Sequence, residues 1–181
     1  MTTKQMNFFS SLLSHKEEVK MLFQLMHIIH LLTVILWIGG LAFVTIIVLP
    51  MAIKNPDALG KVLMFQRVEH RFAPLARIYN IVTGATGFVM VYQTGWHKLY
   101  FTWAGAPLTV MTAIWVFWFV MLWGLEPLVI RKMLDNMSKG GEKMEIETVF
   151  ARMNRMHWMM VFISLVAAVA GALVAHGPFS M

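Results

Sequence analysis

Four stretches of the chain contain no Lys, Arg, Asp or Glu: residues 21–53, 78–97, 99–125 and 156–181, which hold 33, 20, 27 and 26 residues. Each is at least as long as the roughly 20 apolar residues with which an α-helix crosses a hydrocarbon core about 30 Å thick. Inside lipid an unpaired backbone N–H or C=O costs several kcal/mol, so only helices and closed barrels can span it. Composition points the same way, with 59% of side chains hydrophobic and 13% charged, against about 25% charged in an ordinary soluble domain. The expectation is an all-α integral membrane protein, one membrane domain over residues 1–181. It reads as a four-transmembrane-helix bundle with helices at about 23–49, 75–95, 107–130 and 157–175, the first ended by Pro50.

Little chain remains for a soluble catalytic domain. The absence of cysteine removes disulfides, thiolate metal ligands, iron–sulfur clusters and c-type haem attachment. The first apolar window is too long for the 7–15-residue core of a cleaved signal peptide and is expected to stay in the mature protein. The net charge of +6 is read as membrane topology, with no nucleic-acid partner. Lys4, Lys16, Lys20 and Lys98 fall on one side. The other eleven, Lys54, Lys61, Arg67, Arg71, Arg77, Arg131, Lys132, Lys139, Lys143, Arg152 and Arg155, fall on the other. By the positive-inside rule the richer connections are cytoplasmic and both termini periplasmic, which makes a multi-pass protein of a bacterial inner membrane.

The cytoplasmic connections carry short amphipathic helices. Pro56-Asp57 is a helix start followed by Leu59, Val62 and Leu63 at helical spacing, running on toward helix two. Ser138-Lys139-Gly140-Gly141 is a turn, after which Ile146, Val149, Phe150 and Met153 extend helix four below the membrane. In the head, Phe8, Phe9, Leu12 and Leu13 suggest a short interfacial helix.

Strongly coordinating side chains inside a bilayer are costly and mark function. His27 and His30 fall in the outer end of helix one, His97 at the outer end of helix two and His176 at the outer end of helix four, while His70 and His157 fall near the cytoplasmic boundary and His15 in the head. A haem iron takes one or two axial imidazoles, supplied in a helix bundle by facing helices. The expected cofactor is haem b, with His30 paired to His97 or His176 as iron ligands and His27 as the alternative one turn earlier. His70 and His157 are the candidates for a second haem. His157 and His176 stand about 28 Å apart along helix four, so a ligand as deep as His30 shortens the gap that electrons would cross.

Gly39, Gly40, Gly84, Ala85, Gly87, Ala167, Ala168, Ala170, Gly171 and Ala172 would leave space for a macrocycle, or would simply let helices approach closely. Arg71, with Arg67, Arg77, Arg152 and Arg155, can pair with haem propionates or with anionic lipid headgroups. Seventeen methionines, among them Met26-His27, Met156-His157 and Met159-Met160, raise Cu(I) as the alternative metal, although methionine also fills gaps in apolar cores. Glu126 before Pro127 is a candidate proton relay beside a quinone.

Helix one reads His30-Leu-Leu-Thr-Val-Ile-Leu-Trp37-Ile-Gly39-Gly40-Leu41 and closes at Leu49-Pro50; helix two opens with Arg71-Phe72-Ala-Pro74-Leu75-Ala76 and runs to Thr83-Gly84. Over roughly 65 residues that include these, the chain resembles the copper resistance D (CopD)-like membrane proteins, and more distantly the HemJ-type protoporphyrinogen oxidases. The second resemblance implies a haem-ligand role for His30; the first implies copper uptake. The lysine of the third helix in the HemJ-type proteins has no counterpart here, since nothing between Lys98 and Glu126 is charged. The likeness therefore implies the haem ligand without the oxidase activity.

Three functions follow as expectations. The first is a b-type haem protein that passes electrons between the quinone pool and a redox partner, as a subunit of a larger membrane complex more than a free-standing enzyme. The second is copper transport or delivery. The third is a non-redox structural or assembly subunit.

Overall fold

In the computed structural model, which describes residues 3–125 and 143–176, every regular element is helical. Helix α1 (Thr3–Phe43) passes through a five-residue π-turn (Val44–Val48) into α2 (Leu49–Lys54). Helix α3 covers Ala58–Gln93, a short 3-10 turn Trp96–Leu99, and α4 Ala106–Val120, which leads into a second π-turn (Met121–Leu125); α5 is Lys143–His176.

Three stretches, Ser14–Lys54, Ala106–Gly124 and Ile146–His176, are long and apolar enough to cross a membrane, the signature of a membrane protein. Helix α3 is not among them. It has the length, but one face carries Asn80, Thr83 and Thr86, all buried, and Arg77 interrupts its apolar run.

Two boundaries differ from the sequence expectation. Pro50 does not end helix one: it lies just past the π-turn, and the helical backbone runs on to Lys54. The π-turn just before it absorbs the change of register. As its spacing predicts, the helix that starts near Asp57 runs on into the expected helix two as one element, α3, with Pro74 inside it. Its start is capped by Asp57 Oδ2, which accepts the Gly60 N–H at 2.8 Å. The backbone of the head belongs to the continuous α1 and forms no separate interfacial helix. Glu126 and the Ser138–Gly141 turn lie outside the described residues.

Helix α1 packs against α3 and α5, and α4 packs against α5 and α3. One apolar cluster gathers Trp37, Leu41, Ala76, Trp118, Leu122, Met160 and Val161. Its centre is an edge-to-face contact between Trp37 and Trp118 at 5.3 Å. A second cluster, toward the Asn55–Asp57 connection, holds Val44, Val48, Leu49, Ala52, Val62, Phe65 and Phe150. The opposite faces expose Leu31, Leu32, Ile35, Leu36, Phe162 and Val169, a surface that suits lipid and would aggregate in water.

Close approach depends on glycine at specific points. A Cβ on Gly40 would collide with the Phe72 ring, and one on Gly84 with Trp115; at Gly39 it would meet nothing within 4 Å. At Gly40 and Gly84 there is no open slot for a macrocycle, because the Phe72 and Trp115 rings already fill the space these glycines leave.

Candidate functional site

The site builds on the seam between α1 and α3. His30 points from α1 onto α3, where Gly87 makes room for it: a Cβ there would sit 3.3 Å from His30 Cε1. Its Nδ1 lies 3.0 Å from the Thr83 carbonyl oxygen and 3.1 Å from Thr86 Oγ1. A carbonyl can only accept, so Nδ1 carries the proton and donates. In the neutral ring the lone pair is then on Nε2, and no hydrogen bond among the described residues reaches that atom.

The surrounding hydroxyls are all engaged. Thr86 Oγ1 donates to Val82 O at 2.7 Å, Thr83 Oγ1 to Thr33 Oγ1 at 2.9 Å, and Thr33 Oγ1 to His30 O at 2.9 Å. The imidazole is thus fixed in tautomer and orientation by an interlocked set spanning two helices. This is the arrangement that outer-shell partners give a metal-bound histidine, with one ring nitrogen tied to a carbonyl and the other available.

One turn along α3 the polar groups are not satisfied. Asn80 is fully buried, yet neither Nδ2 nor Oδ1 has a partner among the described residues, and the same holds for the buried indole Nε1 of Trp118. The backbone carbonyl of Asn80 is occupied by Trp115 Nε1 at 2.9 Å. A buried unpaired amide costs about 1 to 3 kcal/mol in proteins.

The remaining histidines fall into two groups. His97 lies in the connection after α3, exposed and stacked on Tyr92 at 5.8 Å. His176 is exposed at the end of α5, on the same end of the molecule, since Leu173 and Val174 share a recess with Trp96 and Leu99. His27 is exposed beside Phe23 at 6.1 Å. His30, His97 and His176 do not converge: among the described residues no group of three or more His, Asp or Glu side chains can share one metal ion.

At the other end, His157 is half-buried, its Nδ1–H donating to Met153 O at 2.9 Å and its ring 6.2 Å from Phe65, while His70 is exposed. By register along α3, the Thr83 layer and the Phe65 layer stand about 27 Å apart. Arg71, exposed, is about 18 Å along the helix from Thr83, so it belongs with His157 and not with His30. Arg77, half-buried, donates from Nε to Leu122 O at 3.1 Å and lies over the Trp123 ring at 6.0 Å. The π-turn at Met121–Leu125 breaks the regular i→i+4 ladder at that carbonyl's level.

The sequence reading missed Thr33, Thr83, Thr86 and Asn80. Their spacing was visible, since Thr33 follows His30 by three residues and Asn80, Thr83 and Thr86 recur every three. Comparison with protein-family models, curated proteins and solved structures returns no match.

Proposed function

We propose that the chain is a four-span protein of a bacterial inner membrane that holds haem b through His30 and passes electrons between the quinone pool and a partner subunit. The observation that carries this reading is the His30 imidazole itself, half-buried between two helices and held by Nδ1, with Nε2 free of hydrogen bonds among the described residues. The donor set fits one axial position of a haem iron. Bound there, the group would supply a one-electron ferric/ferrous couple.

The chain's own residues contribute orientation and insulation. Thr83 and Thr86 fix the ring plane, Thr33 locks Thr83 to α1, and Gly87 sets how closely the ring lies against α3. The unpaired Asn80 amide and Trp118 Nε1 offer hydrogen bonds to a polar group inside the helices, a quinone carbonyl or an ordered water. A fourth crossing by α3 is supported by its packing, which turns Asn80, Thr83 and Thr86 inward and Ile78, Ile81 and Phe88 outward. The distribution of Lys and Arg supports periplasmic termini, and of the two resemblances read from the sequence only the HemJ-type one favours His30 as a haem ligand.

The test is a dithionite-reduced minus air-oxidised spectrum of detergent-purified protein, with pyridine haemochrome and copper assays on the same sample. A b-type α band that disappears in His30→Ala is the expected result. A featureless spectrum with stoichiometric copper would replace this reading with copper delivery. Neither haem nor copper would leave an assembly subunit.

A further inference from the structure

Arg155 is the last charged residue of the chain, and from there to His176 helix α5 rises about 32 Å, the thickness of a hydrocarbon core. The guanidinium therefore stands at a membrane boundary. Directly above it Arg155, Trp158, Met159, Phe162 and Ile163 line an open groove of about 470 Å³. Their spacing of three, four, seven and eight residues places them on one helical face, and Phe162 is 68% exposed. From Arg155 to Ile163 the groove runs about 12 Å, most of one leaflet's depth.

Among the described residues no carboxylate compensates the charge at its mouth. Arg152, one turn before Arg155, is also exposed, and neither arginine makes an ion pair with a described residue. The nearest carboxylate on their own helix, Glu147, is engaged with Lys61 at 2.7 Å. Two like charges one turn apart repel unless an anion bridges them. A guanidinium pair at the head of an aromatic-lined apolar groove matches an amphiphile with an anionic head and a hydrocarbon tail. The phosphate would accept charge-assisted hydrogen bonds and the tail would lie on Trp158, Met159 and Phe162.

We propose that this groove binds one anionic phospholipid, with its phosphate on Arg152 and Arg155 and one acyl chain along Trp158 to Ile163. The proposal rests on the membrane-spanning reading alone and is independent of haem. By the positive-inside rule this end faces the cytoplasm, where the leaflet is rich in anionic lipid.

The test is native mass spectrometry of the detergent-purified chain titrated with phosphatidylglycerol or phosphatidylcholine of the same acyl composition. One phosphatidylglycerol per chain is expected at concentrations where phosphatidylcholine is not retained. Arg155→Gln should weaken phosphatidylglycerol binding about fivefold, corresponding to about 1 kcal/mol for one juxtamembrane charge, and Arg155→Lys should recover part of it. Phe162→Ala should weaken both lipids and leave the preference intact. Circular dichroism on each variant confirms the fold. Equal retention of the two lipids by the unaltered chain overturns the proposal, as does unchanged phosphatidylglycerol binding in folded Arg155→Gln. Displacement of the lipid by inorganic phosphate or by a neutral quinone at equal concentration overturns it too.

Discussion

His30 on α1 donates its Nδ1–H to the backbone carbonyl of Thr83 on α3 at 3.0 Å, a bond between residues 53 positions apart that fixes the imidazole across the helix seam. Because Thr86 Oγ1 shares that proton at 3.1 Å, the ring has two acceptors. Removing one should loosen its orientation without destroying it.

Thr86→Val keeps the side-chain volume and deletes the hydroxyl. Loss of an outer-shell partner typically costs 10- to 100-fold in metal affinity. With Thr83 O still in place, the expected effect is about tenfold weaker haem retention, read as haem per chain by pyridine haemochrome after dilution. Thr94→Val, an exposed position just past the end of the same helix, should leave retention unchanged. Equal behaviour of the two variants would remove Thr86 from the site.

Adjacent glycines should respond in opposite ways. At Gly40 the Phe72 ring occupies the place a Cβ would take, whereas at Gly39 nothing lies within 4 Å. Gly40→Ala should lose about 1 to 3 kcal/mol through forced repacking. Gly39→Ala should be neutral or gain up to about 1 kcal/mol from helix propensity. Reversible unfolding in mixed detergent micelles reads both, and equal losses would mean that the α1–α3 contact is not as close as described.

The apolar framework was legible because lipid imposes a length rule on uncharged runs, and that rule located α1, α4 and α5. It is blind to what lies inside a run. Pro50 looked like a boundary, yet the helical backbone runs on past it to Lys54. His30 was legible as an intramembrane imidazole, but its partners come from 53 and 56 residues away, a distance that helical periodicity cannot bridge. Lys61 was counted as one more cytoplasmic charge. It is 5% exposed and paired to Glu147, because the two helices converge there.

That pair should be asymmetric. Lys61 is buried while Glu147 is 59% exposed, so deleting the carboxylate strands a buried ammonium, whereas replacing the lysine with an apolar chain leaves a solvated acid. Removing one partner of a fully buried pair costs about 3 to 5 kcal/mol. With one partner largely in solvent, Glu147→Ala should cost about 1 to 2 kcal/mol. Lys61→Met should be close to neutral, its chain packing beside Val62 and Phe65. Thermal unfolding in detergent with the opposite ranking would show that the charge, and not the buried stem, stabilises this junction.

Topology can be tested cleanly because the chain has no cysteine, so single substitutions introduce the only thiol. Ser14, Lys54 and Trp103 are all exposed; Ser14 and Lys54 bound the first apolar stretch, and Lys54 and Trp103 bracket α3. If α3 crosses the membrane, Ser14→Cys and Trp103→Cys share one side and Lys54→Cys takes the other. Both termini outside then requires the first two to react with an impermeant maleimide in intact cells and Lys54→Cys only after permeabilisation. If only α1, α4 and α5 cross, Lys54→Cys and Trp103→Cys instead share a side opposite Ser14→Cys. That outcome would put the Asn80–Thr86 face outside the hydrocarbon and remove the physical reason for treating His30 as an intramembrane ligand.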